Sequence, residues 1–520
     1  MAHRAIGQIP LVAFTEPFFL LIFAPLTLLA FLAVARGWGR EAALGVLFAA
    51  SCLFYASYGL KVFSLMAAGT LINGAICIAL VRLPRSRTGL RNGLFWSGQA
   101  WNIGALALFK YLAPALGATH GIEGSAIPVG ISFYTFQQAV LLVDALNHDR
   151  RVLQYLPADR PVRAFVRFGA FHTFFPQLVV GPITYMSEFG PQALQKGFGR
   201  FNRTDLEVGI ALIAIGLFKK VVIADSLARI TDPVFGGLAQ GIPATSVHAW
   251  LAVFGYFAQL YFDFSGYSDM ALGLARLFGI RLPINFDSPL RASSIADFYR
   301  RWHITLTRII GRFLFTPLSV WGTRFSVRKR LPGPAARALS AWLPMLVNFQ
   351  VIALWHAALP TFFLFGLIHG LWFILETEVR RSRPWRRFRT ATSDRLRLRL
   401  GQALTILPLM LTFALFRSPE LQAFGGLLRS LVPTGPVAMD WVGAAQVGAA
   451  FAVIWLAPNS QELLRRYRPG IRTWDNVSTT PPPLRLEWRP TLPWGLFTAA
   501  LLLSALALVS YKAPFIYLGY

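Results

Sequence analysis

Apolar windows of about 18 to 25 residues recur from one end of the chain to the other, each long enough to bury in a bilayer as a helix. They lie near residues 12–34, 42–59, 62–81, 97–117, 128–146, 166–184, 206–226, 247–264, 341–357, 360–376, 402–417, 441–457 and 494–512. Several are short or broken by Pro and Gly, so the pattern predicts roughly 10 to 12 true crossings, with further short helices that lie flat or re-enter. This is an all-α polytopic membrane protein by pattern alone. The longest polar interruptions, near 282–340 and 377–400, fall short of ordinary domain size, so one membrane domain is expected over residues 1–520. The first apolar stretch is read as a retained span and not as a removed signal peptide.

Composition agrees: the 520 residues are 55% hydrophobic, with a mean hydropathy of +0.51. The formal net charge of +27 changes the picture more. Its excess sits between the windows, at Arg82–Arg91, Arg150–Arg163, Arg300–Arg330, Arg380–Arg399 and Arg465–Arg489. Loops loaded this way belong on the cytoplasmic side, against anionic headgroups, which predicts a multi-pass protein with these loops facing the cytoplasm. Some of the same guanidinium groups could instead receive a phosphate-rich cytoplasmic substrate. Nucleic-acid binding is excluded, because the charge is interleaved with spans and forms no continuous basic domain.

Other chemistries drop out by absence. Only Cys52 and Cys77 occur, both in apolar segments, which argues for small buried hydrophobes and against a metal cluster, a disulfide framework or a Cys nucleophile. There is no G-x-x-x-x-G-K-[ST] phosphate loop and no G-x-S-x-G elbow around Ser265. No internal repeat or pair of matching broken helices suggests a carrier. Asn476 to Pro490 reads as an extended Pro-rich loop.

Polar residues inside the apolar matrix carry the functional signal. Asp263 and Asp269 sit among aromatics in YFDFSGYSDMALGLARLFGI, residues 261–280. Such carboxylates are expensive unless paired or facing a cavity, and an Arg, a Tyr hydroxyl or a helix N-terminus is the expected partner. From Ile295 onward apolar residues recur at 295, 298, 302, 306, 309 and 310. With Ser293 or Ser294 as cap and Asp297 in the first turn, this predicts an amphipathic helix at the membrane surface. Arg300, Arg301, Arg308 and Arg312 flank its polar side, and His303 taken alone reads as interfacial. His356 stands in the apolar run NFQVIALWHAALPTFFLFGLIHG, residues 348–370, with small alanines beside it. Either it is hydrogen-bonded to a neighbouring helix, or its neutral imidazole is a base for a hydroxyl. His369 reads as helix packing or interface.

Taken in order, these segments carry a resemblance: Lys110-Tyr111, GISFYTFQ at 130–137, FFPQLVVGPI at 174–183, GLFKKVVIAD at 216–225, the 261–280 segment, NFDSP at 285–289, DFYRRWHITLTR at 297–308, LWHAALPTFFLFGLIHG at 354–370 and FIYLGY at 515–520. The chain resembles the membrane-bound O-acyltransferase family, and within it the bacterial members that acetylate alginate and other exported polysaccharides; teichoic acid D-alanylation proteins are more distant. The resemblance is dense over about 100–370. It implies a ring of tilted helices around a thinned centre with a tunnel, a catalytic core near 100–375 and peripheral helices at 1–99 and 400–520. His356 matches the catalytic histidine of that family, with Ala357 where Gly is usual, and His303 matches the second, more variable motif position. The resemblance further implies acyl transfer from a cytoplasmic thioester, acetyl-CoA or an acyl carrier, to a hydroxyl of a polysaccharide or of a periplasmic SGNH-type partner. Permanently bound cofactors and metals are not expected. Arg300, Arg301, Arg308 and Trp302 are candidates for contact with the donor, together with the segment 380–399. A transporter or flippase using intramembrane His and Asp residues is the competing class.

Overall fold

A computed structural model describes residues 14–112, 128–435, 437–471, 482–509 and 515–516. The start of the first apolar window, the tail of the window at 97–117, the first part of the Pro-rich loop and most of the terminal FIYLGY lie outside the described residues. Everything described is helix and connection, apart from one isolated bridge between Pro283 and Ile471.

The principal helices in chain order are α1 (Ala24–Ala56), α2 (Leu60–Arg82), α3 (Thr88–Ala107), α4 (Ile131–Leu146), α5 (Pro161–His172), α6 (Arg203–Phe218), α7 (Asp225–Ala239), α8 (Ser246–Leu277), α9 (Ile295–Arg301), α10 (Ile304–Ile310), α11 (Leu343–His356), α12 (Pro360–Arg381), α13 (Asp394–Arg417), α14 (Trp441–Leu456) and α15 (Leu492–Leu508). Five segments are long and apolar enough to cross a membrane: Phe19–Ala56, Leu60–Arg82, Gly333–His356, Pro360–Arg381 and Asp394–Arg417. α4, α14 and α15 are apolar but shorter. The first two predicted windows are the arms of one bent element, because Gly39 takes φ 80° inside α1, a value that costs glycine little and other residues much.

One expected crossing is absent. The window at 166–184 contains α5, the short helix Phe175–Leu178 and then irregular backbone to Tyr185. Pro176 and Pro182 bring no N–H to a helical ladder, and Gly181 disfavours a helix by its backbone freedom. Irregular backbone survives at membrane depth only when protein satisfies it, and it is buried throughout. The Gln177 side chain donates to the Phe171 carbonyl (2.6 Å), and the Ile183 N–H donates to Thr305 Oγ1 (3.1 Å).

The centre of the molecule is the antiparallel pair α6 and α8. A Cβ on Gly216 would stand 2.4 Å from the Gly266 carbonyl oxygen, and one on Gly273 would stand 2.6 Å from that of Gly209. Backbone therefore touches backbone at two levels, the close approach that small residues give helices in a membrane. The same approach delivers the π-helical turn Lys219–Ala224 to the carboxylates of α8. Lys219 Nζ meets Asp269 (2.6 Å), and Lys220 Nζ meets both Asp225 and Asp263 (2.7 Å each). Asp269 also accepts from Ser460 (2.7 Å). The carboxylates are thus paired, but by the two lysines of the π-helical turn that follows α6 and not by the Arg, Tyr or helix end that local reading suggested.

A second polar ladder ties α2, α3, α4 and α5. Asn73 donates to Asn102 (3.0 Å) and to Gln138 (3.1 Å), and the Gln138 amide meets His172 Nε2 (2.8 Å). Cys77 is buried and Cys52 half-buried, both free.

Candidate active site

His356 is the last residue of α11, and the chain leaves the helix at once: Ala357 is extended at φ −157°, ψ 144°. Leu359 is extended too, as the residue before Pro360 must be. The helix is stopped by its own sequence, so the imidazole projects at an end and not from the middle of a wall. It is buried at 6% exposure. Its ring lies edge-on to Trp355 (4.5 Å between centroids) and Phe416 (5.0 Å).

The continuous amphipathic helix expected from Ile295 does not form. α9 ends at Arg301, Trp302 is extended, and His303 takes φ 45°, ψ 51° before α10 begins. The cause is the NFDSP loop, which caps both broken ends. Asp287 N–H donates to the Arg301 carbonyl (3.0 Å), and Ile304 N–H donates to the Asn285 carbonyl (3.0 Å). Asn285 Oδ1 also accepts from Thr305 N–H (3.3 Å) and Thr305 Oγ1 (2.9 Å), and it pairs with His303 Nδ1 (3.1 Å). These bonds replace those lost to the left-handed residue. Ser294 does cap α9, accepting from Asp297 N–H (2.9 Å).

His303 is consequently buried at 3% exposure, not interfacial. Because Asn285 Oδ1 can only accept, His303 donates through Nδ1 and its neutral ring carries the lone pair on Nε2. The ring lies against Phe264 (4.8 Å) and Phe133 (6.3 Å), and Phe133 in turn meets Trp355 (6.0 Å). Two histidines 53 positions apart in sequence thus face one aromatic cluster.

His369 stands apart from this centre. The Tyr299 hydroxyl bonds its Nδ1 (2.5 Å) and Thr412 Oγ1 bonds its Nε2 (2.8 Å). Thr412 already donates to the Leu409 carbonyl (3.0 Å), so His369 donates to Thr412 and accepts from Tyr299. Both ring nitrogens join α9, α12 and α13.

The donor-contact candidates separate. Arg301 is buried, with Nε on Asp297 (2.9 Å) and Nη1 on the Asp287 carbonyl (3.3 Å). Arg308 is clamped bidentately by Glu188 and donates to the Ile183 carbonyl (3.1 Å). Trp302 is buried among Phe286 (5.1 Å), Phe413 (5.3 Å) and Phe298 (5.4 Å). Arg300 is different: its side chain is 52% exposed and only 3.6 Å from Asp297 at the nearest. Asn285, Thr305, Phe133 and Lys110 had no role in the sequence reading, although each lies in or beside a segment singled out there.

A family model of the membrane-bound O-acyltransferases, MBOAT, matches residues 135–418, which contain both His303 and His356. The chain belongs to this family. It is 31% identical to the peptidoglycan O-acetyltransferase of Helicobacter pylori over 69% of this chain and 69% of that protein. It is 30% identical to the probable alginate O-acetylase AlgI of Pseudomonas aeruginosa over 79% of this chain and 72% of that protein. A teichoic acid D-alanyltransferase of Bacillus subtilis is 27% identical over 47% of this chain and 57% of that protein. The MBOAT assignment makes the chain an O-acyltransferase and a multi-pass membrane enzyme.

Proposed function

We propose that the enzyme carries an acetyl group from a cytoplasmic thioester, acetyl-CoA or an acyl carrier, across the bacterial inner membrane. The acceptor is a hydroxyl of an exported polysaccharide, or of a periplasmic SGNH-type protein that completes the transfer. The names of the relatives, a peptidoglycan O-acetyltransferase and a probable alginate O-acetylase, support acetyl transfer to an extracytoplasmic glycan.

The observation that carries the mechanism is the position of His356. α11 follows the basic stretch Arg324–Arg337, which belongs on the cytoplasmic side, and His356 is at its far end. An acceptor approaching from the opposite face would meet this ring. In the proposed step the acceptor hydroxyl gives its proton to His356 as its oxygen attacks the thioester carbonyl carbon, and collapse of the tetrahedral adduct expels the thiolate. His303, held by Asn285, orients the thioester or a hydrogen-bonded group beside it. Arg300 and the basic helix Arg383–Ala391 would meet the phosphates of the donor.

The test uses purified full-length protein in proteoliposomes with acetyl-labelled acetyl-CoA and an alginate oligosaccharide, following thiol release and label in the sugar. A flippase would do neither. Transfer at the parental rate by a correctly folded His356→Ala protein would sink the mechanism.

A further inference from the structure

α3 does not end as an ordinary helix. It runs into the π-helical turn Leu108–Leu112, and distortions of this kind insert an extra residue per turn and often mark functional positions. Two consecutive residues of the turn engage the two residues that precede His356. The Tyr111 hydroxyl donates to the Leu354 carbonyl (3.0 Å). Lys110 Nζ lies 4.9 Å from the centroid of the Trp355 ring. Tyr111 therefore pins the turn to α11, and the turn presents an ammonium at the residue adjoining the proposed base.

That ammonium is unusual. Lys110 is 7% exposed, and among the described residues no carboxylate pairs with it and no acceptor bonds to it. A desolvated cation held only by an aromatic face is costly in a membrane protein, and Lys219 and Lys220 show that this chain can supply carboxylates to buried lysines. Trp355 adds a second group of the same kind: its indole N–H is buried without a hydrogen-bond partner among the described residues. Two donors with no acceptor among the described residues, the indole N–H of the ring beside His356 and the ammonium on that ring's face, suit a place where negative charge arises only during reaction.

We propose that Lys110 is a further catalytic residue, whose ammonium stabilises the negative charge on the thioester carbonyl oxygen during acyl transfer. This rests on the acyl-transfer reading above. As the acceptor oxygen bonds to the carbonyl carbon and its proton passes to His356, the carbonyl π pair moves onto oxygen beside Lys110. Collapse restores the double bond, breaks carbon–sulfur and releases the thiolate, which takes the proton back from His356. Lys110 stays protonated throughout, and Trp355 positions it.

The proteoliposome assay with acetyl-CoA and alginate oligosaccharide tests the assignment on Lys110→Met and Lys110→Arg. Lys110→Met should lower kcat by about 10²-fold, the loss typical of one oxyanion donor, with KM for acetyl-CoA little changed, and Lys110→Arg should recover part of the loss. A folded Lys110→Met protein with parental kcat overturns the proposal, as does one in which only KM rises. A Lys110→Arg protein that is folded and as slow as Lys110→Met overturns it too, since charge would then not be the property that matters. Lys110→Gln replaces Lys110→Met if the latter does not accumulate in the membrane; if no neutral variant folds, the ammonium is structural and the proposal falls. Should the parental protein itself transfer nothing, acyl transfer falls and takes Lys110 with it, whereas an active parent matched by Lys110→Met removes Lys110 alone.

Discussion

Lys219 and Lys220, beside α8, and Lys110, beside α11, are buried ammonium groups in the same apolar matrix, treated in opposite ways. The first two are locked to Asp269, Asp263 and Asp225 at 2.6 to 2.7 Å, inside a backbone-to-backbone helix contact. Lys110 rests on Trp355, the residue before His356, with no carboxylate on it among the described residues. Charges that serve the fold are neutralised on the spot, because an uncompensated one would cost more than packing returns. A charge that serves a reaction is left to be neutralised by a transition state. The difference between the two regions separates structure from chemistry better than burial does, since both are buried.

The comparison can be broken most sharply at His356. Substitution by Ala should cost about 10² to 10⁴-fold in acyl transfer while thermal unfolding in detergent stays near parental; a collapse of stability instead would place His356 with the structural group. On the other side, Asp269→Asn strips Lys219 of its carboxylate. The expected cost is about 3 to 5 kcal/mol, visible as loss of folded protein in the membrane with specific activity per folded molecule retained. Gly216→Leu, which drives a side chain into the Gly266 carbonyl, should destabilise by about 1 to 3 kcal/mol by overpacking, measured by the same unfolding assay. Asn285→Ala lies between the regions, because it removes the partner of His303 Nδ1. About a tenfold fall in kcat is expected, equivalent to one neutral hydrogen bond, and steady-state kinetics on folded protein would show it. The smallest effect belongs to Arg300→Gln. Its exposed side chain should leave stability within about 0.5 kcal/mol and raise KM for acetyl-CoA, and an unchanged KM would remove Arg300 from the donor contacts.

Sequence reading reached the helices wherever hydrophobic length decided the outcome, and it failed where distant segments did. The window at 166–184 looked like a crossing because hydropathy is blind to how Pro176, Gly181 and Pro182 spend backbone hydrogen bonds; Thr305 and other partners supply them from elsewhere in the chain. His303 read as interfacial because the apolar spacing from Ile295 fits one amphipathic helix. Nothing local shows that Asn285, 18 residues earlier, splits that helix and turns the imidazole inward. The carboxylates at 263 and 269 were recognisable as expensive, but Lys219 is 50 positions from Asp269, too far for any periodicity to pair them. Lys110 was visible only as part of the Lys110-Tyr111 segment. Its meaning depends on Leu354 and Trp355, which reach it across the fold.

The chain's own residues determined that this is a helical, multi-pass membrane protein and, through the order of its segments, which family it belongs to. Both follow from local properties: apolar length sets what a bilayer accepts, and ordered side chains persist in a linear text. Which polar residues are neutralised and which stand ready for chemistry was decided only by tertiary structure. That distinction depends on partners brought within 3 Å or so by helix packing, and electrostatic cost is set by those partners and by the absence of water, neither of which is written next to the residue that pays it.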